Sequence, residues 1–237
     1  MRDTMPPIAV TSTIPNRKLP SGQVLWSLGL VSLLTLASCG GTVNDLLQEA
    51  KLGSPEAIER AVVSIGDLLV SKEEAQVAFD RGDLSAIEYL KTVARSSDVQ
   101  NNRAVAIRSL GRLRTVDVMD SMRLGLNDRF WLSRLIAVQA IRALAYEEAS
   151  SELIVLLESE PQPEVKREII ASLGILGDDR SVRTLYRTFF NLDNDSDRDE
   201  QESAYFALKK LTGLDYPFDE KSQWKQAYGE RFGDEGS

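Results

Sequence analysis

The chain has 237 residues, 43% hydrophobic and 27% charged, with a formal net charge of −8 and only 15 Gly and 8 Pro. This is the composition of a folded globular protein and excludes disordered and fibrous classes. There is no His and a single Cys, which removes the commonest general base and metal ligand and rules out an intramolecular disulfide or a multi-thiolate zinc site.

Residues 1–38 differ from the rest. Arg17 and Lys18 precede an uncharged apolar run, Val24–Ala37, that is too short for the ~20 residues a spanning helix needs but suits the core of a signal peptide. The run ends in Leu36-Ala37-Ser38-Cys39-Gly40. This resembles the bacterial lipobox, in which small residues admit the peptidase and the thiol takes a diacylglyceryl group. The resemblance implies cleavage between Ser38 and Cys39, lipid on Cys39 and a lasting two-chain membrane anchor. Gly40, not Asp, follows the cysteine, which by the sorting rule for such proteins implies the outer membrane, facing the periplasm. The basic segment is long for a signal peptide, so Met5 is an alternative start.

Residues 39–54 read as a linker and first helix. From residue 55 the chain alternates helix and short polar break, with no period-two pattern of strands. Four segments align without gaps: Arg103-AVAIRSLGRL, Arg134-LIAVQAIRAL, Lys166-REIIASLGIL and Gln201-ESAYFALKKL. Each places a small or aliphatic residue three positions after its polar start (Ala106, Ala137, Ile169, Ala204). An aliphatic residue follows four later (Leu110, Ile141, Leu173, Leu208), recurring after 31, 32 and 35 residues. A fifth copy, Ile58-ERAVVSIGDL, puts Ala61 and Ile65 in the same frame. Preceding helices are predicted at 84–94, 116–126, 149–158 and 181–190, with breaks at Ser96–Asp98, Asn127-Asp128, Glu160–Pro163 and Asp193–Asp195. Two helices per repeat predict an all-α solenoid of stacked hairpins, in which the small residue permits close approach and the aliphatic one fills the core.

The pattern resembles HEAT repeats, including the phycobilisome-lyase-like variety, over roughly residues 55–213, through the basic starts (Arg103, Arg134, Lys166) and the Leu-Gly ends (Leu110-Gly111, Leu173-Gly174). The resemblance implies a right-handed α-α superhelix and protein partners, and it is nearly silent on function. Residues 214–237 read as a capping segment: Gly213 stops the last repeat, and a helix is predicted around 220–228. Tyr216, Phe218 and Trp224 either seal the end of the core or form an aromatic partner site.

Three further features remain. Asp193–Asp199 has oxygens at the first, third and fifth positions of a calcium loop, but Arg198 replaces the turn glycine and Ala204 the bidentate Glu, so it is read as an acidic loop capping the next helix. No metal site or cofactor is expected. Residues 101–142 hold eight Arg against three Asp. This excess is either a docking surface, with Arg108, Arg112 and Arg142 as candidate partner-binding residues, or a set of charges satisfied along the repeat ladder. Nucleic acid is not an expected partner of so acidic a chain. Trp131 is expected to pack under the preceding turn. The function that follows is a membrane-anchored, non-catalytic protein-binding adaptor. The alternatives are a permanent structural subunit of an envelope complex and, less favoured without His or a second Cys, a lyase-like enzyme.

Overall fold

The computed structural model describes residues 42–114, 117–191 and 198–232. Cys39, Ser38 and most of the acidic loop lie outside the described residues. Eleven α-helices follow one another: α1 (Val43–Leu52), α2 (Pro55–Glu74), α3 (Arg81–Ser96), α4 (Gln100–Gly111), α5 (Met119–Leu126), α6 (Trp131–Ala143), α7 (Ser150–Ser159), α8 (Pro163–Leu176), α9 (Asp179–Asn191), α10 (Arg198–Thr212) and α11 (Lys221–Phe232), with one 3-10 turn at Glu147–Ala149 before α7. No strand occurs among the described residues. The repeat helices start two or three residues earlier than expected, except α5 and α7, which start late.

Local chemistry explains the helix starts. Thr42 and Asp45 form a reciprocal capping box on α1, as do Asp80 and Asp83 on α3. Ser54 caps α2, whose first residue is Pro55, where a missing N–H costs nothing. The second helices of the middle repeats use a different device. Ser97, Asp128 and Glu160 accept the backbone N–H two residues on, from Val99, Phe130 and Gln162, so each satisfies a donor just before its helix begins.

The helices form five antiparallel pairs, α1/α2 to α9/α10, stacked in two layers. The second helices α2, α4, α6, α8 and α10 pack closely in sequence, through small residues at equivalent positions. A Cβ placed on Gly66 would lie 2.4 Å from Ser109 Oγ, one on Gly111 2.5 Å from Ala140 Cβ, and one on Gly174 2.7 Å from Ala207 Cβ. A methyl group at these crossings would meet the Cβ of the facing helix, and at Gly174 its backbone as well. Ala106, Leu110, Ala137, Ile141, Ile169, Leu173, Ala204 and Leu208 are all buried in one continuous core, as the aligned segments predict. A single pair could not bury its apolar face alone; stacking supplies the missing side.

The two ends close differently. On α2, Arg60, Ser64, Asp67 and Ser71 are exposed, and Ser64 occupies the position that Ser109, Ala140 and Ala207 bury against a preceding repeat. At the other end Gly213, with φ +73°, ends α10 in the left-handed conformation glycine tolerates. The chain then returns so that Trp224 of α11, 2% exposed, sits edge-on to Phe189, Tyr205 and Tyr216.

Candidate functional site

The basic residue that opens the second helix of each middle repeat builds a ladder. Arg103 holds Asp128 with two hydrogen bonds, 2.7 and 2.8 Å, and donates to the Ser97 carbonyl of its own turn at 2.8 Å. One repeat later Arg134 holds Glu160 at 2.6 and 2.7 Å and donates to the Asp128 carbonyl at 2.8 Å. Lys166 meets Glu200 at 3.4 Å, a looser rung because an ammonium cannot make the two-pronged contact. Each arginine thus ties its own turn to the next, and Asp128 and Glu160 also order the turn that precedes a helix. Burial pushes the Asp128 carboxyl up, but the hydrogen bond from Arg103, the Phe130 N–H and the Arg103 charge outweigh it, and the group lies below the ordinary aspartate range. The same contacts raise Arg103 and Arg134 above the ordinary arginine value, against desolvation.

These pairings account for much of the arginine excess. Arg112 is exposed and bonded to Asp67 of the preceding second helix. Arg142 is half-buried and meets Glu168 of α8 at 2.7 Å; it stands where three of the other repeats carry the crossing glycine, Gly66, Gly111 and Gly174. Arg123 reaches Glu152 on α7 at 3.1 Å. Arg108 is exposed and has no ion-pair partner among the described residues. The three candidate arginines therefore lie on adjacent second helices but differ in availability.

The exposed side of the second-helix layer carries two rows. Residues five positions after each repeat start are all exposed: Val63, Arg108, Gln139, Ala171 and Phe206. Four positions further, Asp67, Arg112, Ala143, Ile175 and Lys210 are exposed as well. Spacings of four put both rows on one face, and the stacking makes that face continuous across five repeats. Phe206, 64% exposed, is its most prominent apolar residue. The sequence reading named Arg108 and Arg112 but passed over the rest of both rows, though the repeat alignment already held them in register.

The aromatic candidates occupy the closing segment. Tyr216 and Phe218 are half-buried against Trp224, Phe189 and Tyr205, and the Tyr205 hydroxyl donates to the Tyr216 carbonyl at 3.1 Å. Only a small cavity, of about 20 Å³, opens beside Trp224, so these rings fill the end of the core. Trp131 corrects its expectation. Phe130 takes the place under the turn, packed against the core, while the Trp131 ring meets it edge-on at 6.3 Å and stays 36% exposed. Among the described residues no three His, Cys, Asp or Glu side chains gather as a metal site would need, and no helix is long and apolar enough to cross a membrane.

Residues 119–209 match the HEAT repeats family. The match runs from α5 into α10. No curated protein matches the chain. The described residues form an all-α solenoid of stacked helix pairs, and residues 119–209 of it are similar to HEAT repeats, which commonly mediate protein–protein interaction.

Proposed function

We propose that this protein is a membrane-anchored, non-catalytic adaptor that binds partner proteins along the exposed face of its second-helix layer. The observation that carries the reading is the pair of rows, Val63 to Phe206 and Asp67 to Lys210, repeated in register across five helices. Their composition suits reversible binding: apolar Phe206 and Ile175 stand among Arg108, Gln139 and the Arg112–Asp67 pair, whereas permanently buried interfaces are more uniformly apolar. The anchor rests on Leu36–Cys39 and would hold the repeats at the periplasmic face of the outer membrane.

Two measurements test it. Cys39→Ser should abolish labelling by fatty-acid analogues and leave the precursor uncleaved; normal processing and membrane retention in that variant would remove the anchor. Affinity purification from crosslinked membranes should recover specific proteins with the wild type, and Arg108→Glu with Phe206→Asp should lose them while melting normally. Added salt should weaken the wild-type capture in the same direction. Recovery of the same proteins by the double variant would move the binding surface elsewhere.

A further inference from the structure

The first-helix layer is looser than the second. Here α1 packs on α3 and α3 on α5, whereas α5 and α7 touch sparsely and are bridged by Arg123 and Glu152 at 3.1 Å. At the same junction Arg142 stands where Gly66, Gly111 and Gly174 stand in three other repeats, and it pairs with Glu168 of α8 at 2.7 Å. Two cavities of about 360 and 420 Å³ open side by side along the gap and share Leu126, Asn127, Leu156 and Ser159. Both are open to solvent along one side.

The walls say what would fill the gap. The α7 helix contains five consecutive apolar residues, Leu153-Ile154-Val155-Leu156-Leu157. A surface helix needs only one apolar stripe, and one that is apolar on more than its inner face is covered by something. Leu153 and Leu157 are buried in the core, but Val155 is 66% exposed at the edge of the gap. Across it stands the part-exposed Trp131, a ring of the kind enriched where proteins bind one another.

Charge narrows the occupant. Arg123 is held by Glu152, Arg134 by Glu160, and Asp128 is committed to Arg103. Arg129, exposed beside Trp131 in the same cavity, has no ion-pair partner among the described residues. One positive charge is therefore left over next to an apolar floor.

We propose that the gap between α5 and α7 is a second docking site, distinct from the second-helix face, for an extended peptide segment of a partner protein. Its occupant carries a bulky apolar side chain that enters between Leu126, Leu156 and Val155, and a neighbouring carboxylate that pairs with Arg129. The cavities admit side chains and a short stretch of chain, not a whole helix, which is about 10–12 Å across.

A random peptide library displayed on phage, selected against the full chain in detergent, tests this. Enriched peptides should place an Asp or Glu within a few residues of a Leu, Phe or Trp. Their binding should fall at least about tenfold with Val155→Asp or Trp131→Ala, and remain with Arg108→Glu and Phe206→Asp on the other face. With Arg129→Glu it should also fall, and peptides re-made with Lys at the acidic position should recover it. Val155→Asp should melt with the wild type, since the side chain is mostly exposed. Four results would overturn the proposal: no enrichment, peptides without an acid, binding indifferent to Val155→Asp, or a wild-type oligomer that Val155→Asp dissociates, which would make a second copy the occupant.

Discussion

The two helix layers of one solenoid obey different rules. The second helices touch through glycine, alanine and serine at fixed positions and are laced by arginine–carboxylate rungs. The first helices are held mainly by their own partners and touch each other less, with α5 and α7 bridged chiefly by Arg123 and Glu152. In a stack of two-helix units each layer can be specialised: close approach in one fixes the geometry of the array, and the looser one is free to carry openings. The same contrast separates a layer whose outward face is two ordered rows from a layer whose outward face is broken by cavities.

The largest expected effect comes from breaking the shared core beneath the tight layer. Leu110→Ala and Leu173→Ala, both at fully buried positions, should each cost about 2–5 kcal/mol in chemical denaturation. Next comes the ladder. Arg103→Ala leaves the largely buried Asp128 carboxylate without its partner and should cost about 3 kcal/mol at neutral pH. Gly174→Ala tests the crossing itself: the added methyl would lie within 2.8 Å of Ala207 Cα as well as its Cβ, an overpacking worth about 1–3 kcal/mol. The equivalent change in the looser layer, Val155→Ala, and the exposed control Lys51→Ala should each shift stability by less than about 0.5 kcal/mol. Equal losses in both layers would erase the distinction.

Acid sharpens the same comparison. The folded pKa of Asp128 is depressed, so the stability it confers is complete above its unfolded value, about 3.9, and is lost as pH falls through the folded value below that. Arg103 is charged in both states throughout this range and adds no slope. Melting temperature should therefore decline below about pH 4, and Asp128→Asn should be less stable at neutral pH and show a shallower decline. An unchanged acid limb in that variant would mean that the rung contributes little.

Much of this layering was legible in the sequence. The spacing of Ala106 and Leu110, repeated at Ala137 and Ile141, Ile169 and Leu173, and Ala204 and Leu208, identified the buried positions, because burial on a helix must follow its 3.6-residue period. Gly213 marked the end of the last repeat for an equally local reason. Trp131 was misread, since Phe130 and Trp131 are adjacent and only packing decides which one enters the core. The partners of Arg103, Arg134 and Arg142 lie 25 or more residues away, and sequence alone left ladder and docking surface as alternatives for the same arginines.

The sequence by itself determined the class of structure, since helical periodicity and repetition are properties of neighbours along the chain. It determined too that residues 24–39 are apolar, uncharged and end in a single cysteine. Only the tertiary structure decided which charges are available, leaving Arg108 and Arg129 free of ion pairs among the described residues and binding Arg112 and Arg142. It also decided where grooves run in the first-helix layer, between α5 and α7. Both depend on how one repeat leans on the next, a relation between side chains about thirty residues apart that no local pattern encodes.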